Sequence, residues 1–312
     1  MRAAILGAGS AGLLHGLSLK AHGVTIDAVY DPDQHKARAL AELLHASIAP
    51  RSDDTGDAEV IAICSPPSFH AEQAAMFARE GRVVLLEKPI ALDEHELDRI
   101  SGLSHCYSAL QWRFGRGLRA IRAAIAAGEL GEAPSVNVDL TWQRDDAYFQ
   151  SRPNWGCGML LSVGIHAVDA ALYALGDEVA SASGTRAPTE RETSACAWFV
   201  TSRGSRISLR LTSSAPRDRT RLSFCGNGVC AEIEGSEADP TAGYVQWDCA
   251  TNDQARRLRL LECETTGLLV GPLLVPFVGA ALRGSPDAPT IADAAPAHRA
   301  IYRVYEASTQ NA

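Results

Sequence analysis

The chain has 312 residues, of which 46% are hydrophobic, and carries 37 acidic against 29 basic side chains for a formal charge of −8. That length and apolar content suit two domains better than one, and the acidic balance argues against a nucleic-acid surface, which needs a concentrated basic stripe. The one long apolar segment, 268–282, is broken by Gly271, Pro272 and Pro276 and is too short to span a bilayer, so no membrane partner is expected.

Residues 2–6 read as a short buried strand, followed by Gly7-Ala8-Gly9-Ser10-Ala11-Gly12, a helix starting near Ser10, a second apolar strand over 24–30, and Asp31. This is the order of a dinucleotide-binding βαβ unit. The first glycine allows the turn, the second lets the backbone approach a pyrophosphate, and the third lets helix and strand pack closely. The helix directs its N-terminal N–H groups at the phosphates. Asp31 lies about twenty residues beyond the last glycine, where a carboxylate accepts from the adenosine ribose hydroxyls, favouring NAD over NADP. The alternative is an α/β domain that merely packs a helix at Gly12.

A second crossover helix is expected over 33–44, with Ala37, Leu40, Ala41 and Leu44 on one face. A buried strand over 60–64 ends at Ser65-Pro66-Pro67-Ser68, and a helix follows over 69–80. The carboxyl end of such a strand is where doubly wound sheets bind ligands, so Ser65, Pro66 and His70 are candidate cofactor contacts.

The strand over 83–86 ends in Glu87-Lys88-Pro89. Only Lys20, Lys36 and Lys88 are lysines, the other basic residues being arginine. A lysine here suggests a need for a compact ammonium whose pKa responds readily to burial; taken alone, a surface lysine at a strand end is the favoured reading. A helix over 93–100 and a strand over 106–111 complete a first domain, residues 1–114, of doubly wound, mostly parallel α/β type.

Residues 115–117 read as a hinge and 118–127 as an amphipathic helix. Beyond them the period changes to two: Val136, Val138, Leu140 and Trp142 share one strand face, and Ile207, Leu209 and Leu211 another. Strands near 181–186, 194–201, 221–224, 229–234 and 244–247, with an Asn227-Gly228 hairpin turn, predict an open-faced, largely antiparallel sheet in a second α+β domain, residues 115–312, closed by a helix over 297–308. The sheet's open apolar face is expected to be covered in a homodimer or homotetramer.

Interrupting this pattern, Trp155-Gly156-Cys157-Gly158 gives way to a helix on which Ser162, His166 and Asp169 stand four and three residues apart, along one side. A lone helical histidine is usually structural. With a hydroxyl and a carboxylate beside it, His166 becomes a candidate proton-transfer group, with Asp169 in support. Eight cysteines without a CxxC pair fit buried thiols in a reducing, cytoplasmic setting better than a disulfide frame or a metal site.

With Gly7 to Gly12, Asp31, Glu87-Lys88-Pro89 and Gly164-Ile165-His166-Ala167-Val168-Asp169 in this order, the chain resembles the Gfo/Idh/MocA oxidoreductases nearly end to end. The resemblance implies a Rossmann domain joined to an open-faced sheet domain, NAD or NADP as cofactor, and a sugar- or polyol-like substrate between the domains. It makes Lys88 the counterpart of the family's catalytic lysine and His166 that of its catalytic histidine, on opposite flanks of one nicotinamide ring. Ser162 departs from the Asp or Asn common four residues before that histidine. The implied activity is hydride transfer at a secondary alcohol or ketone. The alternatives are an enzyme that recycles tightly bound NAD while cleaving glycosides, and a non-catalytic NAD-binding sugar sensor.

Overall fold

In the computed structural model, β1 (Arg2–Leu6) starts a fully parallel six-stranded sheet with β2 (Thr25–Tyr30), β3 (Ser47–Ile48), β4 (Val60–Ile63), β5 (Val83–Leu86) and β6 (Cys106–Ser108), in the order β3-β2-β1-β4-β5-β6. The structure describes residues 1–78, 81–143, 146–152, 155–186, 191–214, 218–235, 245–249, 257–258 and 273–309. Apart from the exposed Arg2 that opens β1, the interior strands β1, β4 and β5 are apolar and almost entirely buried, as parallel strands covered on both faces must be. Connections run through α1 (Ser10–Ala21), α2 (Gln34–Leu44), α3 (His70–Ala78) and α4 (Glu94–Ile100). Asp33 caps α2 by accepting from the His35 and Lys36 N–H groups, and Asp93 caps α4 by accepting from Glu96 N–H. The winding reverses between β1 and β4, which is where such sheets open a ligand crevice beyond the strand ends.

The chain divides into two compact units, Met1–Gln111 with Gly267–Ala295, and Trp112–Thr266 with Pro296–Ala312. The second contains α5 (Arg116–Ala126), β7 (Ser135–Thr141), α6 (Asp146–Gln150), α7 (Ile165–Leu175), β8 (Val179–Arg186), β9 (Ser194–Thr201), β10 (Arg206–Thr212), β11 (Arg219–Gly226), β12 (Val229–Gly235), β13 (Val245–Cys249) and β14 (Arg257–Leu258). Its eight-stranded sheet runs β14-β13-β12-β11-β7-β10-β9-β8, antiparallel except for the β7–β10 pair. Register places Val136, Val138 and Leu140 beside Ile207, Leu209 and Leu211, so the two apolar rows recognised separately in the sequence form one buried face. At the β11–β12 turn, Asn227 and Gly228 both have positive φ, as a type I′ hairpin requires.

Two expectations are corrected here. The face that carries the apolar residues is buried within the chain. The opposite face is polar, bearing the Arg210–Asp139 and Arg221–Glu232 ion pairs, with Trp198 and Val200 as its large exposed apolar groups. Strand alternation reveals which residues share a face, but not which face the helices cover. Second, the thiols are not all free: Cys225 and Cys230 stand opposite each other across the hairpin and form a disulfide. The turn sets this pairing, which a search for CxxC spacing overlooks. Cys64, Cys106, Cys157 and Cys196 are not in disulfides.

Toward the end of the chain, α8 (Leu274–Leu282) belongs to the first unit, where it packs on α1 and β5. The rest of the apolar segment, 268–272, lies outside the described residues, as do Glu80 at the end of the helix expected over 69–80 and Tyr244 of the strand expected over 244–247. The final helix, α9 (Ile291–Thr309), is longer than the 297–308 expected. Among the described residues no helix is long and apolar enough to cross a membrane.

Candidate active site

The glycine turn follows β1. Gly7 has φ +102°, and a Cβ there would collide with the Cys64 carbonyl; one on Gly12 would collide with the Gly7 carbonyl. Around Gly9 the space is open. No side chain caps the N-terminus of α1 and its first turn has no acidic residue, leaving the main-chain donors of Ser10, Ala11 and Gly12 for an anion. Asp31, at the end of β2, accepts from Ala8 N–H at 2.7 Å and Asp33 N–H at 2.9 Å. Its carboxylate is thereby fixed beside the glycine turn with further lone pairs on both oxygens. An open cradle, an uncapped helix start and a fixed carboxylate are what a dinucleotide's pyrophosphate and ribose require, so the residues fit NAD.

The same sheet edge carries the other first-unit candidates. Ser65 donates its hydroxyl to Gln73 Oε1 at 2.6 Å. Pro66 precedes a 3-10 turn, Pro67–Phe69, that leads into α3. His70 is buried, with Nδ1 2.7 Å from Pro89 O and Nε2 2.8 Å from Ser65 O, so its ring nitrogens face the main chain. Burial is the largest influence on this ring and draws its pKa below the usual histidine value; Lys88 acts in the same direction, while the two carbonyls and Glu87 act against it. Glu87 and Lys88 follow β5 and are half-buried, and the Lys88–Pro89 peptide is cis.

The second-unit candidates lie on the segment that leads into α7. A π-helical turn, Leu160–Gly164, precedes Ile165, so Ser162 and His166 are not in regular α-helical register. Ser162, His166 and Asp169 are all buried. The Ser162 hydroxyl donates back to Gly158 O at 2.7 Å. His166 stacks on Trp112, with ring centroids 5.0 Å apart and planes 10° from parallel. Asp169 accepts two hydrogen bonds from Arg113, from Nε at 2.9 Å and Nη2 at 2.6 Å.

Trp112 and Arg113 were not singled out in the sequence, although they stand at the expected domain boundary. Nor were Glu192 and Tyr305. Glu192 is buried, and its Oε1 accepts from Leu160 N–H at 2.8 Å and from the Tyr305 hydroxyl at 3.0 Å. It therefore satisfies one of the main-chain donors at the start of the π-turn. Gly158 is required beside it, because any Cβ would strike the Glu192 carboxyl group. Burial raises the pKa of Glu192, and burial together with the nearby Glu192 pushes the Tyr305 phenol well up.

Residues 1–105 match the family model described as "Oxidoreductase family, NAD-binding Rossmann fold", and residues 118–238 match the model of the GFO/IDH/MocA C-terminal domain. The chain belongs to the Gfo/Idh/MocA family. Among curated Gfo/Idh/MocA-like relatives, the inositol 2-dehydrogenase of Rhizobium meliloti (strain 1021) is 28% identical over 197 residues, 60% of this chain and 58% of that protein. The D-glucoside 3-dehydrogenase of Escherichia coli (strain K12) is 29% identical over 194 residues, 56% of this chain and 54% of that protein. The chain thus spans a little over half the length of these relatives. The WlbA dehydrogenase from Bordetella pertussis, solved in complex with NADH and UDP-GlcNAcA, aligns with 100% of this chain and 96% of its own at TM-score 0.87 and 20% identity, a likeness of fold.

Proposed function

We propose that this Gfo/Idh/MocA protein catalyses reversible NAD-dependent oxidation of a secondary alcohol to a ketone on a sugar- or polyol-like molecule. The observation that carries this reading is the family match together with a lysine just beyond β5 and a buried histidine in α7. Gly7 to Gly12, Asp31, Ser65 and Pro66 would hold NAD, which when bound supplies the hydride acceptor. His166 takes the proton of the reacting hydroxyl, and Lys88 hydrogen-bonds the same oxygen and stabilises the negative charge that develops there.

Ser162 and Asp169 act in support. Asp169 and Arg113 hold the first turns of α7, and Ser162 bonds the main chain where its relatives commonly place a carboxylate or amide. His166 therefore works without an acid at that position. The relatives named inositol and glucoside dehydrogenases support the substrate class. A cytoplasmic homodimer or homotetramer completes the reading, supported by the exposed Trp198 and Val200 on the polar sheet face, with light scattering as its check.

The test is Lys88→Ala assayed with a panel of polyols, glycosides and nucleotide-linked sugars. NADH affinity should stay within about twofold, while kcat falls by about a hundredfold or more, the scale of one acid–base or oxyanion contribution. Unchanged kcat removes Lys88 from the mechanism. Substrate consumption without net NADH would favour the recycled-cofactor alternative.

A further inference from the structure

Lys88 is one residue beyond Glu87, and Glu87 is held from behind. His15 lies in α1, three residues past Gly12, and its side chain is wholly shielded from solvent. Its Nε2 lies 3.0 Å from Glu87 Oε1. The other carboxylate oxygen of Glu87 accepts from the Lys88 main-chain N–H at 3.2 Å. An ionised carboxylate only accepts, so Nε2 must carry the proton, which fixes the ring orientation and, for the neutral ring, the tautomer. Phe277 meets the imidazole edge-on, with centroids 6.4 Å apart and planes at 90°, confining the ring on another side. The Nδ1 of His15 has no hydrogen-bond partner among the described residues. A buried polar atom left without a partner is costly; an apolar side chain would fill the position without that cost, so the imidazole is retained for its contact with Glu87.

We propose that His15 is a positioning residue for Lys88: through its bond to Glu87 it sets the acid whose second oxygen fixes the Lys88 main chain, and so aims the ammonium at the substrate oxygen. This rests on the proposed function for the aim of the ammonium, though not for the clamp itself. On the far side of the turn the Pro89 carbonyl faces His70 Nδ1, so the Glu87-Lys88-Pro89 segment is gripped on both sides of the lysine. His15 acts through Glu87 and touches neither reacting atom.

Having only three lysines makes the proposal directly readable. Reductive 13C-methylation of the full chain yields three dimethyl-lysine signals and one from the N-terminus, assigned with Lys20→Arg and Lys36→Arg. His15→Phe keeps approximate volume and removes the donor, whereas His15→Gln restores an amide donor. The Lys88 resonance should move in His15→Phe and return toward its place in His15→Gln, while the Lys20 and Lys36 signals stay put. In unmethylated protein, kcat should drop about tenfold in His15→Phe, comparable to losing one net hydrogen bond to a charged group. NADH affinity should be kept, and His15→Gln should recover part of kcat. A packing role alone would give the opposite order, with Phe tolerated and Gln not.

An unmoved Lys88 signal in folded His15→Phe overturns the proposal. A moved signal with full turnover upholds the clamp and refutes the catalytic role of Lys88 instead. If His15→Phe does not fold, Glu87→Gln, which preserves shape and removes the charge, reads the same contact from its other end: a displaced Lys88 signal supports the clamp and an unmoved one overturns it.

Discussion

Replacing Arg113 with methionine should be the most damaging conservative change near α7. The Arg113–Asp169 pair is bidentate, and the two side chains are only 11% and 2% exposed. Removing the guanidinium takes the Arg113 charge away from the buried Asp169 carboxylate, and breaking a buried pair in this way typically costs about 3–5 kcal/mol. Arg113 also lies over the Tyr173 ring at 5.2 Å, which adds about 0.5–1 kcal/mol that methionine partly replaces. Because the chain forms two compact units, urea unfolding should be followed by probes that separate two transitions. The loss should fall on the transition of the second unit. Asp169→Leu should cost a similar amount, and the double variant far less than the two losses added, since replacing a buried ion pair by apolar side chains is often close to neutral. A single-variant loss under about 1 kcal/mol, or strictly additive losses in the double variant, would refute the view that this pair is buried and mutually dependent.

Ser162→Ala should lower the stability of the second unit by about 1 kcal/mol in urea titration, because the hydroxyl's bond to Gly158 O is lost; no change would mean that the bond contributes nothing. Glu192 offers a pH test. Its pKa is raised from 4.5 by burial, so between that value and the raised one the folded state holds more protons than the unfolded state, and stability falls as pH rises through that window. In Glu192→Gln this slope should disappear from urea midpoints measured from pH 4.5 upward; an unchanged slope would clear Glu192 of responsibility.

Local chemistry made much of this legible in advance. Gly7 to Gly12, Asp31 and the Asn227-Gly228 turn announce themselves because their requirements are satisfied within a few residues: a positive φ, a close approach, a strand on either side. Lys88 was legible through composition, as one of only three lysines in a chain whose other basic residues are arginine. The partners that hold the site were not. Arg113 and Asp169 are 56 residues apart and Tyr305 and Glu192 are 113 apart, and no spacing rule connects them. The π-turn before α7 was also hidden, because an i, i+4 pattern in sequence looks the same whether or not a wider turn intervenes. Alternation in β7 and β10 identified a shared face, but whether that face is covered depends on how the rest of the chain packs. The sheet is largely antiparallel, as its short connections suggest, and alternation alone does not single out β7 and β10 as its one parallel pair.

The placement of α8 in the first unit bears on how the chain is made. The His22 ring lies 2.8 Å from the Val275 carbonyl, and His15 meets Phe277 edge-on, so one side of α1 is finished by residues translated some 250 positions later. During synthesis the glycine turn and its strands are made well before α8, so that flank of α1 stays bare until some 250 further residues have been added. A fragment ending at Gln111 would keep that flank exposed permanently, and a soluble nucleotide-binding fragment is better built by splicing 273–295 back on than by truncation.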